Sequence, residues 1–493
     1  MNYVTAEQKG ISSEHILEYI RHLEKNQMSM HDVIIMRGND IVFEKYWAPF
    51  HKDFLHRQYS VSKSFVALAV GFLEQDGLVN LDDPISKYFP EELKNQKNEY
   101  MRNQSVRHML MMSTSMRCRN WFAEKPDDRV RFYFENDHYE CRPSGTIFQY
   151  DSEGSFVLGA LVERQTGKLL MEYLREKLFD KIGVSKEAYA LKCPGGHTWG
   201  DSAVMCTGMD LVKVARFTMN GGSWDGEQLL NEAYVHDAVS CQIDNNLLGI
   251  PNFDTNGYGY LIWRGPRNSY FFNGMGCQLA FCIPDKDLIF VCNADNQGKV
   301  LAKNIIIDGF FDLVVDRISD EALPENPAAQ QALEDATRDL KLAVAVGETE
   351  SEWMEKVDGV TYELGKNPMG IRKIRLDFDK EAKTGVLAYT NAQGDKELPF
   401  GLGKNVFGLF PQEGYADEVG TVATKNFYYD CAVSAAWTEP HRLFLKVQII
   451  DKYFGTLNMT FGFRDDLVGI QMNKCAEDFL DEYEGLAGGK ACR

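Results

Sequence analysis

The chain has 493 residues, more than one hydrophobic core ordinarily fills, so two domains are expected. A charged fraction of 25% and a hydrophobic fraction of 44% are ordinary for a soluble globular chain. The net charge of −19 repels phosphate backbones and anionic lipid, which argues against nucleic acid and membrane partners.

The first residues, MNYVTAEQKGISSEHILEYI, have no basic segment followed by an apolar run, so no secretory signal is read there. The longest apolar stretch, FVALAVGFL at 65–73, is about half the length of a bilayer span. The 11 cysteines are scattered without a C-x-x-C pair. Reduced thiols and a cytoplasmic location are therefore expected.

Residues 11–26 predict a helix, with Ile16, Leu17, Ile20 and Leu23 on one face and Ser12 or Ser13 as its cap. DVIIMRGNDIVFEKYW, 32–47, reads as a hairpin around Gly38-Asn39-Asp40. A helix follows Ser60 and stops near Asp76-Gly77. Residues 78–200 mix helices and loops. GYGYLIWR (257–264), QLAFCIP (278–284) and DLIFVCNA (287–294) are strand-like, and a helix is expected over about 300–318. The order implies an α/β fold of the α+β type: one antiparallel sheet built from both ends of a domain, flanked by helices, with a helical insertion. This domain is assigned 1–320. Residues 321–349 are polar and proline-containing and read as a connector. Residues 350–493 are rich in short alternating segments and predict a small β-barrel or sandwich.

The stretch FLHRQYSVSKSF, 54–65, places Ser60 three residues before Lys63 at a helix start. That spacing puts both side chains on one face. A serine hydroxyl is a weak nucleophile without a base, and a buried lysine can lose its charge and act as one. Backbone N–H groups at the helix start would face a developing oxyanion. The competing reading of the local string is a capping serine beside an exposed lysine. Further on, PSGTIFQYDSEGSFVLGALVERQTG, 143–167, sets Tyr150-Asp151-Ser152 before a helix, where a phenol could relay a proton. Taken alone, that tyrosine is equally a core or surface residue.

Together these segments resemble the serine β-lactamase-like superfamily, which includes class C β-lactamases, D-alanyl-D-alanine carboxypeptidases, family VIII esterases and 6-aminohexanoate-oligomer hydrolases. SVSK matches S-x-x-K, and YDS matches Y-x-N/S. SVRHMLMMSTSM, REKLFDKIGV and AVMCTGMDLVKVARFTMNGG resemble further family segments, and the likeness covers residues 1 to about 318. The third motif, K-T-G or H-x-G, has its counterpart in FFNGMG: Gly274 falls on the motif glycine and Phe272 where lysine or histidine often stands. Esterase members with W-G-G are nearer to this. Ser152 stands where β-lactamases often have asparagine.

The resemblance implies acyl-enzyme chemistry. Ser60 would attack a carbonyl, Lys63 and Tyr150 would share the base role, and the N–H groups of Ser60 and Met275 would hold the oxyanion. No metal or cofactor is implied. The substrate expected is a small molecule or peptide bearing an ester or amide, neutral rather than a β-lactam, because Phe272 offers a carboxylate no partner. Arg264 or Arg267 could supply the missing cation instead. Two other functions stay open: an acyltransferase using the same acyl-enzyme, and a catalytically silent binding relative. The C-terminal domain would serve as a lid or as the interface of a homo-oligomer. No G-x-S-x-G, H-E-x-x-H, P-loop or dinucleotide motif is present, and His108 reads as a structural histidine. Tyr258 and Trp263 read as core, or as the lining of a pocket.

Overall fold

Strands from both ends of the first 341 residues meet in one sheet. In the computed structural model the spatial order is Asn2–Tyr3, Asp40–Tyr46, Met30–Arg37, Leu288–Ala294, Gln278–Ile283, Tyr270–Gly274 and Trp263–Arg264. Every pairing is antiparallel except that of Asn2–Tyr3 with Asp40 and Ile41. The structure describes all residues except 119, 122, 123, 125, 136–140, 415–423, 477, 478 and 493.

Met30–Arg37 is central because its apolar run has no polar face to offer water, and it is buried over almost its whole length. On one side of the sheet, Val33, Ile35, Phe271, Leu279, Phe281 and Phe290 share a core with Ile16, Tyr19, Ile20 and Leu23 of helix Ser13–Lys25, and with Ile306 and Phe310 of helix Ala302–Leu313. Ser12 caps the first of these helices by accepting the Glu14 N–H, a contact worth about 1 kcal/mol. Helix Gly208–Met219 packs on the sheet residues Met30–Arg37, Gln278–Ile283 and Leu288–Ala294. Helix Ser62–Gln75, buried continuously from Ser62 to Leu73, packs against helix Ser152–Thr166. An all-round apolar helix of this kind belongs inside a domain.

The segment 257–264 departs from expectation: only Trp263–Arg264 is a strand. Leu261 adopts a left-handed φ of 54°, and its N–H bonds to the Leu110 carbonyl at 2.9 Å. A side chain at Gly259 would stand 2.1 Å from the Ala238 carbonyl oxygen. Tight turning and close backbone approach therefore override the aromatic alternation.

The expected connector 321–349 contains helix Pro327–Thr337, capped by Asn326, whose Leu333 joins the core of the first unit together with Leu340. The second compact unit begins at Leu342. Among the described residues it holds a ten-stranded sheet, nine strands of which close into a barrel where Gly401 and Leu402 pair with Ser434 and Ala435, while Val406–Glu413 pairs with Tyr428–Glu439 outside the ring. Closure pairs two strands of the ring that would otherwise stay unmatched, and alternating burial along Thr384–Asn391 marks the inside and outside of the wall. Among the described residues the cysteines form no disulfide. Among the described residues no helix is long and apolar enough to cross a membrane.

Candidate active site

The segment leading into Ser60 is bolted to a second stretch of chain. His56 and Arg57 pair with Cys206 and Met205, and Gln58 N–H donates to the Val204 carbonyl at 2.8 Å. The Arg57 guanidinium donates to the Ser202 carbonyl and to its hydroxyl, both at 3.0 Å. Ser62 Oγ accepts the Val204 N–H at 3.0 Å. Between these anchors Tyr59 takes a left-handed φ of 45°. That conformation costs a bulky residue roughly 1–2 kcal/mol and persists only where the surroundings enforce it. A single 3₁₀ turn, Tyr59–Val61, then carries Ser60 into helix Ser62–Gln75.

Ser60 is half-buried and Lys63 is 1% exposed. The Lys63 ammonium nitrogen lies 2.9 Å from Ser60 Oγ and 2.6 Å from the Asp201 carbonyl oxygen. The Asp201 carboxylate is 3.8 Å away. Lys63 is thus neither exposed nor a mere neighbour of a cap: its amine is buried against the serine. Tyr150 presents its ring to the same amine, 5.2 Å from Nζ to the ring centre. Its other neighbour is Trp263, stacked at 5.6 Å with 25° between planes. Ser60, Lys63 and Tyr150 are therefore brought together from two separate segments.

The remaining sequence candidates are placed as follows. Gly274 ends strand Tyr270–Gly274, and a Cβ there would lie 2.4 Å from the Gln58 carbonyl oxygen, so the strand passes directly beside the Ser60 turn. Met275 follows it, 36% exposed, in a 3₁₀ turn. Phe272 is fully buried, on the sheet face opposite to Phe271. Ser152 opens helix Ser152–Thr166 and is not a partner of Lys63 among the described residues. The two arginines proposed as substitute cations are engaged elsewhere. Arg264 bonds to the Val239 carbonyl and Asn268, while Arg267 pairs with Asp316. A different cation approaches the third motif: Lys303 donates to Asn273 Oδ1 at 2.6 Å. Burial pulls the Lys303 amine below its ordinary range.

Around these groups lie buried carboxyls. Burial pushes Asp201 up to about 6, against the pull of Lys63. Burial and the neighbouring Glu153 push Asp151 up, while it accepts bonds from Thr114 Oγ1 at 2.7 Å, Tyr133 Oη at 3.3 Å and Gly154 N–H at 2.9 Å. His108 closes a capping box with Ser105, a structural role. Tyr258 is fully buried beside Phe148 and Trp263, and Trp263 in turn stacks on Tyr150. Among the described residues no cluster of three or more His, Cys, Asp or Glu side chains could hold a metal ion. Sequence reasoning missed Asp201, which lies 138 positions from Lys63 within HTWGDSAVMC, a string with no recognisable spacing. It also missed Lys303, whose helix is legible but whose aim is not.

A family model described as Beta-lactamase matches residues 20–303, more than half of the chain. The 6-aminohexanoate-dimer hydrolase of Paenarthrobacter ureafaciens is 26% identical over 225 residues, which is 42% of this chain and 56% of that protein. The chain thus spans little more than half of that relative's length. Among solved structures, the octameric penicillin-binding protein homologue from Pyrococcus abyssi superposes with a TM-score of 0.51 at 16% identity, over 96% of this chain and 99% of that one. EstCE1, described as a hydrolase with promiscuous acyltransferase activity, gives 0.51 at 14% identity, over 62% of this chain and 99% of that one. At such identities the structural likeness speaks for the fold alone.

Proposed function

This chain belongs to the Beta-lactamase family, and on that premise we propose that it is a serine hydrolase working through an acyl-enzyme on Ser60. The observation that carries this reading is the 2.9 Å contact between Ser60 Oγ and a Lys63 amine that is 1% exposed. In this mechanism Ser60 Oγ attacks the substrate carbonyl while its proton passes to the Lys63–Tyr150 pair. The N–H groups of Ser60 and Met275 stabilise the oxyanion. The proton then goes to the leaving group, and water releases the acyl group.

The proposed substrates are small neutral esters or amides, peptides included. Phe272 supplies no polar atom where a substrate carboxylate would be gripped, and Arg264 and Arg267 are spent on other partners. A carboxylate set against phenylalanine would lose its water without compensation. The same acyl-enzyme would serve an alcohol or amine acceptor, so products are analysed with and without added acceptor. The C-terminal domain would serve as a lid or as the interface of a homo-oligomer, and particle mass in solution against the 56.1 kDa monomer separates the two.

The deciding experiment is intact-mass spectrometry after a fluorophosphonate probe on wild type and Ser60→Ala. One adduct on wild type, mapped to Ser60 and lost in the variant, is expected. Label on another serine, or label that persists in Ser60→Ala, overturns the reading. No label at all on a folded wild type favours a silent binding protein.

A further inference from the structure

Strand Asp40–Tyr46 has an outer edge that the chain covers only at its two ends. At one end Asn2 and Tyr3 pair with Asp40 and Ile41, and the Val4 N–H donates to the Ile41 carbonyl at 3.1 Å before the chain leaves the sheet for the turn Glu7–Lys9. At the other end the Ala48 N–H donates to the Leu340 carbonyl at 2.9 Å. Between these ends, residues 42–46 border a cleft of about 410 Å³, floored by buried Ala6, Phe43 and Leu333 and edged by Glu44, Lys45 and Glu334. We propose that this cleft is a docking slot for an extended segment of another protein, apolar and basic at alternate residues, which adds to the sheet as a further strand.

The backbone carries the first part of the argument. Residues 32–35 pair in order with residues 46–43, and the Trp47 N–H points inward to the His31 carbonyl at 3.0 Å. Successive residues of a strand turn their amides to opposite sides, so Phe43 and Lys45 bond to the inner neighbour while Glu44 and Tyr46 face the cleft. Among the described residues no backbone group meets the amides of Glu44 and Tyr46 on that side. A strand edge in this state is a template for pairing with another chain. A compact small molecule would fill the volume, but an extended peptide also answers donors and acceptors spaced two residues apart.

Side chains set the chemistry of the occupant. On one face of the added strand they would lie against Ala6, Phe43 and Leu333, which belong to the core and favour an apolar group. On the other they would stand beside Glu44, whose carboxylate is held by the hydroxyls of Tyr3 and Tyr46. Lys45 is already engaged by Glu334 at 2.6 Å, so the cleft carries two carboxylates against one committed ammonium. A lysine or arginine of the incoming segment would meet Glu44 in a charge-assisted bond. The same edge of a second copy would instead bring like charge across the new strand pair, which destabilises it. The slot is separate from the Ser60 site: strand Tyr270–Gly274 lies four strand spacings away in the sheet, about 19 Å. A segment bound here would therefore anchor a partner without entering that site.

The test is fluorescence anisotropy of the full chain with a labelled hexapeptide amide, Lys-Val-Lys-Val-Lys-Val. It is run beside two forms N-methylated on the lysines or on the valines, and beside the Glu-Val-Glu-Val-Glu-Val counterpart, with hydrogen exchange of residues 42–46 followed in parallel. The basic peptide should bind saturably and slow exchange of residues 42–46. Only one parity of its amides faces the sheet, so one N-methylated form should bind about tenfold or more weaker while the other keeps its affinity. The acidic peptide should bind at least about tenfold more weakly, and Glu44→Gln should weaken the basic peptide by about fivefold while leaving kcat/KM for p-nitrophenyl butyrate unchanged. Should Glu44→Gln fail to fold, the peptide series on wild type decides. Equal binding of the two N-methylated forms, equal binding of basic and acidic peptides, or no saturable binding by folded wild type overturns the proposal. Protection of residues 42–46 without peptide, in step with a doubling of particle mass, also overturns it and assigns the edge to a second copy.

Discussion

Gly274→Ala isolates the spacing between the sheet and the proposed nucleophile. Gly274 has φ −118° and ψ 157°, ordinary extended values that alanine adopts freely. The substitution therefore brings no backbone penalty, only a methyl group. That methyl would lie 2.4 Å from the Gln58 carbonyl oxygen and 2.9 Å from Gln278 Cβ. Non-bonded atoms rest near 3.5 Å, so the strand and the Gln58–Ser60 turn must part by about 1 Å. Overpacking of this kind costs roughly 1–3 kcal/mol, which a folded domain survives. The displacement is more damaging to chemistry, since it separates the proposed oxyanion donor at Met275 from Ser60. A shift of that size costs about 10²-fold in rate. The assay is kcat/KM for p-nitrophenyl butyrate together with the rate of fluorophosphonate labelling, beside urea unfolding. Expected are a variant folded under assay conditions, a loss near 10²-fold, and labelling slowed in proportion. Activity within threefold of wild type would show that the strand is no part of the catalytic geometry.

Other outcomes bear on the site and the fold. Lys63→Ala and Tyr150→Phe should each cost on the order of 10³-fold, and the double variant should be little worse than either, as read from kcat/KM. A chromogenic cephalosporin should turn over far more slowly than p-nitrophenyl butyrate. If it does not, and Lys303→Ala abolishes its hydrolysis, the carboxylate anchor is Lys303 acting beside Asn273 rather than a residue of the strand. Burial raises Asp32 to about 7. The folded state then holds a proton that the unfolded chain releases near pH 4, so this group's stabilising contribution is full below about 4 and fades as pH rises through 7. Asp32→Asn should flatten the stability curve between pH 5 and 8, measured by urea unfolding. Residues 342–493 expressed alone should give a cooperative unfolding transition, as expected of a closed barrel with its own core.

What the sequence made legible, it did through periodicity and spacing. The strands Met30–Arg37 and Leu288–Ala294 are apolar runs bounded by turn residues, and the barrel strand Thr384–Asn391 alternates residue by residue. The middle of the first domain was opaque because its helices are short. Pro90–Leu93, Glu99–Asn103 and Val106–Leu110 have only 4 or 5 residues each, too few to display a 3.6-residue period. At 257–264 a true alternation misled, because Gly259 and Leu261 answer to backbone contacts with Ala238 and Leu110 that lie far away in sequence.

The site divides along the same line. Ser60 and Lys63 are separated by one helical turn, so local spacing predicted their 2.9 Å contact. Asp201 reaches the same amine only because residues 202–206 are hydrogen-bonded to residues 56–62, and no local pattern encodes such an encounter.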